Sequence, residues 1–430
     1  MRVLLLIPDA TGFAFTDHDF KRGLERGGGA TVYELDPYAV YRESGAAGLE
    51  AEVLRQVRQH DIEYLLYWFS GFDFDPSFLC GALAGVYRVL MFGDDEYSFD
   101  SCDRYYAQCA DLVLSFNPFP ERYWQYGVDA QMMPGTYDAS VFRPEYSSVK
   151  CRDVSFVGTW QNKPGRDAAY DALAAAGVRL ELYGRGTPGG ILSRDQVIEV
   201  YRGSRINLNF TTLGANPMDR HQNINRRLRQ VKGRCTKIAL CGSFVLSEYA
   251  PGLERLFEIG TEIDVFHDVA ELAVKVRYYL DNESLRETMA ARAHARARRE
   301  YDEAGYWART AQFIRERAQH GQRRPYQGRP RYFDPAFWRG YGTWRFRYLP
   351  WFLFTGRFGS LTGELVRLIR AGGFSPGASF WLAADGLSHA ATHSRAAAAV
   401  LAALRGMRRL WRSLRTAGAY TRGTNQQGAS

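Results

Sequence analysis

The sequence lacks any pair of cysteines at the C-x-x-C spacing. Its six cysteines (Cys80, Cys102, Cys109, Cys151, Cys235 and Cys241) are scattered over 430 residues. That scatter argues against a structural zinc site, and a chain this long does not need disulfide staples. A reducing, cytoplasmic setting is the resulting expectation. No uninterrupted apolar run reaches the roughly 18 residues of a membrane span. The opening run Val3–Ile7 is too short for a signal peptide, and Pro8 and Asp9 follow it at once. A G-x-G-x-x-G fingerprint is also missing. The loop after the first apolar run reads Asp9-Ala10-Thr11-Gly12, which gives dinucleotide binding no support. Lysine is absent from Gly321 onward, where 17 Arg stand against 3 acids. The preceding residues hold 38 basic and 44 acidic side chains. The net +8 of the chain therefore joins a mildly acidic body of −6 to a cationic tail of +14.

What is present reads as globular α/β. Hydrophobic residues make up 46% and charged residues 24%, which excludes a disordered or fibrous chain. The length predicts two or three domains. Val3–Ile7 is a continuous apolar run without alternation, which suits a strand buried on both faces, and Thr31–Leu35, Ile62–Phe69, Tyr87–Phe92 and Leu112–Phe116 read as further short strands. Helical stretches such as Ala47–Gln59 separate them. The rhythm restarts with strands at Val154–Val157, Arg179–Tyr183, Ile206–Phe210, Ser243–Ser247 and Asp264–Phe266. Such alternation means parallel crossovers. The predicted organisation is a Rossmann-like domain over 1–147, a second over 148–318 and a basic extension over 319–430. Ligands of such sheets bind beyond the carboxyl ends of the strands, so two facing domains make an interdomain cleft.

Candidate chemistry sits at those ends. Gly93-Asp94-Asp95 follows the fourth strand, where Asp94 or Asp95 would hold a hydroxyl or act as a base, or would simply cap a helix. Gly158 closes the first strand of the second half, and Lys163 and Arg166 enter the next helix. Free N–H groups with nearby cations make an anion site, while a basic surface loop is the plainer alternative. Lys232 and Arg234 enter a small-residue helix, and Glu248 ends the strand after it. His18, between Asp17 and Asp19, is a further candidate base. Asp73-Phe74-Asp75 is read as a loop, and the eight histidines form no cluster, so no metal site is expected.

Over residues 88–315 the chain resembles the CgeB-like group 1 glycosyltransferases of GT-B fold. The resemblance rests on Gly93-Asp94-Asp95, Tyr126-Gly127-Val128, Phe142-Arg143-Pro144, Phe156-Val157-Gly158 and Tyr183-Gly184. Its strongest block is Lys232-Gly233-Arg234 with Cys241-Gly242-Ser243-Phe244-Val245-Leu246. It implies a nucleotide-sugar donor held by the second domain, an acceptor held by the first and no bound metal or other cofactor. Gly158 and Lys163 match the phosphate-side loop, Tyr183 and Gly184 the base-side strand end, and Lys232 and Arg234 the second basic element. Two departures stand out. Thr159 replaces an Arg frequent in the family, and Lys237 replaces a Glu that typically holds the ribose. That exchange either moves the ribose contact to Glu248 or makes the chain a lapsed relative that binds without catalysis.

The tail has three readings. Twelve aromatics fall within Tyr332–Phe358, and Ala396–Leu414 is patterned as an amphipathic helix. Residues 323–415 would lie on an anionic membrane surface, on the inner face of the membrane, and suit a lipid-linked or envelope acceptor. Alternatively the aromatics pack inward and the arginines are solvated. Binding of single-stranded nucleic acid is the least favoured reading.

Overall fold

The computed structural model describes residues 1–8, 20–69, 71–83, 85–145, 149–161, 163, 165–213, 228–320 and 333–405. The first sheet contains β1 (Arg2–Leu6), β2 (Thr31–Leu35), β3 (Tyr64–Phe69), β4 (Tyr87–Phe92), β5 (Leu112–Ser115) and β6 (Ala130–Met132). Their order is β2-β1-β3-β4-β5-β6, and every pairing is parallel. β6 is the strand the sequence pattern did not reveal, since three residues carry too little periodicity. All six residues of β4 are buried, which explains the lack of alternation. Its Arg88 is tolerated because Asp111 receives the guanidinium at 2.9 Å and the carbonyls of Leu79 and Cys80 take its remaining donors.

The second sheet contains β7 (Arg152–Val157), β8 (Leu180–Tyr183), β9 (Ser204–Asn209), β10 (Val245–Glu248) and β11 (Asp264–Phe266). It is also fully parallel, in the order β11-β10-β9-β7-β8. One core lies on each face of this sheet, one around Ile238 and Val245 and the other around Phe156 and Leu246. Helices Arg166–Ala175 and Arg234–Leu240 follow β7 and precede β10.

Two expectations are corrected. The helix Glu303–His320 does not stay with the second domain. Its Tyr306, Trp307 and Ile314 complete the core of the first sheet with Val3, Phe20 and Trp68. Trp307 is fully buried and meets Phe20 edge-on at 5.7 Å. A continuous stretch ending at 318 therefore does not describe the second domain. Cysteines also behave differently from the reading of their scatter, because Cys80 and Cys109 are joined in a disulfide. The fold brings together two residues separated by 29 positions.

The chain divides into two compact units. One holds both sheets. The other combines Tyr38–Glu52 and Gly71–Asp73 with Phe333–Ser430. The extension is thus a helical unit that recruits two earlier segments, with helices Pro335–Arg345, Leu349–Phe354, Phe358–Ala371 and Pro376–Ala390 and a further helix over 395–405. The second half of the expected Ala396–Leu414 helix lies outside the described residues. The aromatic segment packs inward: Phe337, Tyr341, Trp344 and Phe352 are buried. At the centre, fully buried Arg345 meets Glu364 at 3.2 Å and donates to the Tyr41 hydroxyl at 2.5 Å. Asp73 is buried there too, accepting from Trp344 Nε1 and Tyr348 OH at 3.1 Å each. That position gives Asp73 a structural task, in keeping with its reading as part of a loop.

Candidate functional site

β7 delivers Phe156 and then Gly158 to the carboxyl edge of the second sheet. The Phe156 ring is flanked by two guanidinium groups, Arg166 and Arg234, each 4.9 Å from its centroid. Asn209, at the end of neighbouring β9, fixes Arg234 by accepting from Nη1 at 2.5 Å. The guanidinium also packs on Gly158, where a Cβ would lie 2.5 Å from Arg234 Nη2 and would displace it. Gly184 has φ +119°, and a Cβ on it would meet the Gly158 carbonyl oxygen at 2.3 Å. The turns after β7 and β8 therefore touch backbone to backbone. Gly158 N donates to Tyr183 O at 2.8 Å and Trp160 N to Arg185 O at 3.0 Å.

Two lysines join the arginines. Lys163 is half-buried, and desolvation lowers its pKa to about 8, with Lys232 and Arg166 pushing the same way. Lys232 is lowered mainly by burial, against the pull of Asp94 and Glu96, and Arg234 and Arg166 add to the lowering. Arg166 is lowered by burial and by Arg234. A guanidinium keeps its charge at ordinary pH. Four cations predicted from the sequence thus converge and repel one another around Phe156 and Gly158, and a multiply charged anion would relieve that repulsion. Arg166 has a second task. It is buried and donates to the Thr159 carbonyl, so it also braces the turn.

The opposite wall comes from the first sheet. Gln230, just before Lys232, donates from Nε2 to Asp94 Oδ1 at 2.6 Å and to Glu96 Oε2 at 2.8 Å. Two carboxylates of the first domain thereby share one amide of the second. Burial raises the Glu96 carboxyl above its ordinary range, and Asp95 and Asp94 raise it further. Close backbone approach continues this seam, for a Cβ on Gly135 would sit 2.7 Å from the Gly233 Cα.

Several expectations change here. Asp95 is fully buried, and its Oδ2 accepts from Ser115, Tyr123 and Arg122 at 2.7 Å each. It anchors the β4 turn from within and is not placed to meet an acceptor. Asp94 remains exposed at the edge. Tyr183 turns its hydroxyl back along the strands, donating to Glu181 at 2.6 Å and accepting from Arg152 at 3.0 Å. Its side chain therefore serves the sheet, while its carbonyl serves the Gly158 turn. Glu248 is also occupied. Its carboxylate accepts from the backbone N–H groups of Thr211 and Thr212 at 2.8 and 3.1 Å and meets Arg229 at 2.9 Å. It forms the wall of a cavity of about 240 Å³ shared with Phe210, Thr212, Arg229 and His267. Lys237 lies with Nζ 4.8 Å from the centroid of Tyr137. His18 lies outside the described residues. Among the described residues no cluster of His, Cys, Asp and Glu could hold a metal ion.

Sequence reasoning missed Asn209, Thr211, Thr212, Arg229 and Gln230, whereas Glu96 lay within the acidic run after the fourth strand that it had marked. Asn209 lies at the end of a predicted strand and Thr211 and Thr212 directly follow it, so the rule that ligands gather beyond strand ends could have flagged them. Nothing local marks Gln230, whose partners lie 134 and 136 positions away.

Residues 166–314 match the family described as "Glycosyl transferase-like". No curated protein matches the chain. Among solved structures it is similar to sucrose-phosphate synthase from Thermosynechococcus elongatus, with a TM-score of 0.53 and 11% identity over 74% of this chain and 99% of that one. A glycosyltransferase from Rickettsia africae gives 0.53 and 9%, covering 74% and 99%. The Anabaena protein HepE, solved with UDP and glucose, gives 0.50 and 15%, covering 74% and 100%. The two parallel sheets accordingly form a GT-B fold, and the stretch similar to the glycosyl transferase-like family lies in its second half.

Proposed function

We propose that this chain is a glycosyltransferase that takes a sugar from a nucleoside diphosphate donor and passes it to a hydroxyl acceptor. The observation that carries the reading is the convergence of Lys163, Arg166, Lys232 and Arg234 beside the Gly158–Gly184 turn. HepE, of like fold, was solved with UDP and glucose, which supports a donor of that class. The order of sequence blocks favours a CgeB-like enzyme with a hexosyl donor and an envelope glycan, lipid or protein acceptor.

The chemistry follows from the charges. The bond between the anomeric carbon and the β-phosphate oxygen breaks, and its electron pair leaves with the diphosphate. The four cations stabilise that charge as it develops, in a partly desolvated place where such stabilisation is strongest. They fill the role that a metal ion takes in other transferases. The acceptor oxygen bonds to the anomeric carbon and yields its proton to a carboxylate at the β4 edge. Asp94 is the exposed carboxylate there, with Glu96 behind it on the same amide of Gln230.

The test is a donor screen on the purified chain, reading nucleoside diphosphate release and calorimetric binding. Lys232→Ala should lower turnover by about 10²–10³-fold, by analogy with a lost oxyanion donor. Turnover should survive a chelator. Lack of binding by every nucleoside diphosphate sugar would remove the reading. Binding without turnover would turn it into that of a non-catalytic sugar-nucleotide module, the outcome that the Glu-to-Lys exchange at Lys237 favours.

A further inference from the structure

The helix Phe358–Ala371 is built inside out. Two of its three ionised residues, Glu364 and Arg367, face the interior of the helical unit. Glu364, 1% exposed, bonds Tyr41 and Arg345. Arg367 reaches both oxygens of Glu50 at 3.2 Å and the Tyr341 hydroxyl at 3.1 Å. The solvent face instead carries Phe358 (63% exposed), Leu365, Val366 and Ile369 (77%), with Arg370 beside them. These positions recur at helical spacing, so they form one stripe. The next helix, Pro376–Ala390, buries Leu382 and Leu387 in the ordinary way but leaves Phe380 and Trp381 73% and 53% exposed. Val400 and Leu404 are exposed on the helix over 395–405, between exposed Arg395 and Arg405. Single exposed apolar side chains need no explanation. A helix that turns Glu364 and Arg367 inward and large apolar residues outward, beside further exposed aromatics, is matched to surroundings less polar than water.

We propose that this helical unit docks on the surface of an anionic phospholipid bilayer, with Phe358, Ile369, Phe380 and Trp381 immersed among the headgroups. Charge selects this occupant. Residues 321–430 bring 17 Arg against 3 acids, and guanidinium groups pair bidentately with lipid phosphates. An apolar face rimmed by arginine and carrying Trp is the composition of an interfacial anchor. Among the described residues no helix is long and apolar enough to cross the membrane, so the unit lies on the surface. Next to Phe358, the side chains of Arg42, Arg357, His393 and Trp351, with Glu43, line an open cavity of about 650 Å³. That cavity offers a seat for one lipid phosphate. The inference goes beyond the donor site and stands without it, because its test contains no sugar nucleotide.

The full-length protein is sedimented with vesicles of phosphatidylcholine alone or of phosphatidylcholine with phosphatidylglycerol. Binding is expected only with phosphatidylglycerol and should weaken as salt is raised. A variant carrying Phe358→Ser, Ile369→Ser, Phe380→Ser and Trp381→Ser removes exposed side chains only. It should partition at least about tenfold less, the factor that ~1.4 kcal/mol of lost burial gives. Brominated phosphatidylcholine in the anionic vesicles supplies a readout on the folded wild type. It should quench the fluorescence of the wild type more than that of Trp381→Phe. Equal partition of the serine variant, equal quenching of the Trp381→Phe protein, or binding indifferent to phosphatidylglycerol would each overturn the proposal. So would light scattering that finds a wild-type dimer dissociated by the four substitutions, for the face would then belong to a second copy of the chain.

Discussion

Lys163 is the cation whose charge is open to adjustment. Its pKa of about 8 means that the free protein loses this positive charge as pH rises through that value. A bound diphosphate favours the charged form, so binding must then take up a proton. Affinity for UDP should therefore fall between pH 7 and pH 9, by at most about tenfold per unit. Calorimetry across that range should find the dependence gone in Lys163→Met. Asp103 supplies a stability counterpart. Burial, then Asp95, raises its carboxyl to about 8, and Ser98 donates to it at 2.5 Å. The folded chain thus holds a proton that the unfolded chain releases above its ordinary pKa of 3.8. The contribution is complete below about pH 4 and declines as pH rises towards 8, with a slope of at most ~1.4 kcal/mol per unit. Asp103→Asn should flatten denaturant-measured stability over that window, and an unchanged slope would refute the assignment. Neither shift is visible in the sequence, which marks Lys163 only as a candidate phosphate contact and does not mark Asp103 at all.

The strand-to-helix turns were largely legible beforehand. Short strand-like segments marked ten of the eleven strands to within a few residues, and the fully buried ones, such as β4, needed no alternation because both their faces are covered. Gly158 and Gly184 were singled out as turn residues, and the close approach of the Gly158 backbone explains why Gly184 must lack a Cβ. Gly184→Ala would force a side chain into a left-handed conformation against the Gly158 carbonyl. A cost of about 1–3 kcal/mol is expected, seen as a lowered Tm, together with weaker UDP binding as the turn shifts. A variant with wild-type Tm and affinity would show that the two turns move independently. The same elements reveal where local reading stops. Asp94 and Asp95 are adjacent and chemically identical, yet Asp95 is consumed by Ser115, Tyr123 and Arg122 while Asp94 reaches Gln230. Only the direction of each side chain separates them, and the conformation of the β4 turn sets that direction.

Long-range packing gives the C-terminal extension its meaning. Tyr41, Glu50 and Phe72 belong to its helical unit, paired with Glu364, Arg367 and Arg345. Removing one side of a buried ionic network leaves the other side unsatisfied and costs about 3–5 kcal/mol. A chain ending at Gln319 should consequently lose soluble yield and melt at lower temperature. Recovery of that fragment with an unchanged Tm would show that the two early segments are indifferent to the helices.

Two kinds of information divide this molecule. Composition and periodicity sufficed for the parallel α/β class, for most strands, for the basic residues that meet around Phe156 and for the charge asymmetry of the tail. These properties depend on residues near one another in the chain. Which charges are buried, which carboxylate faces the cleft, that Glu303–His320 returns to the first sheet and that Phe358–Ala371 turns its apolar side outward all depend on partners far apart. Glu364 lies 323 positions from Tyr41. Its inward orientation is a property of the packed interior, where an ion is stable only beside the distant groups that satisfy it.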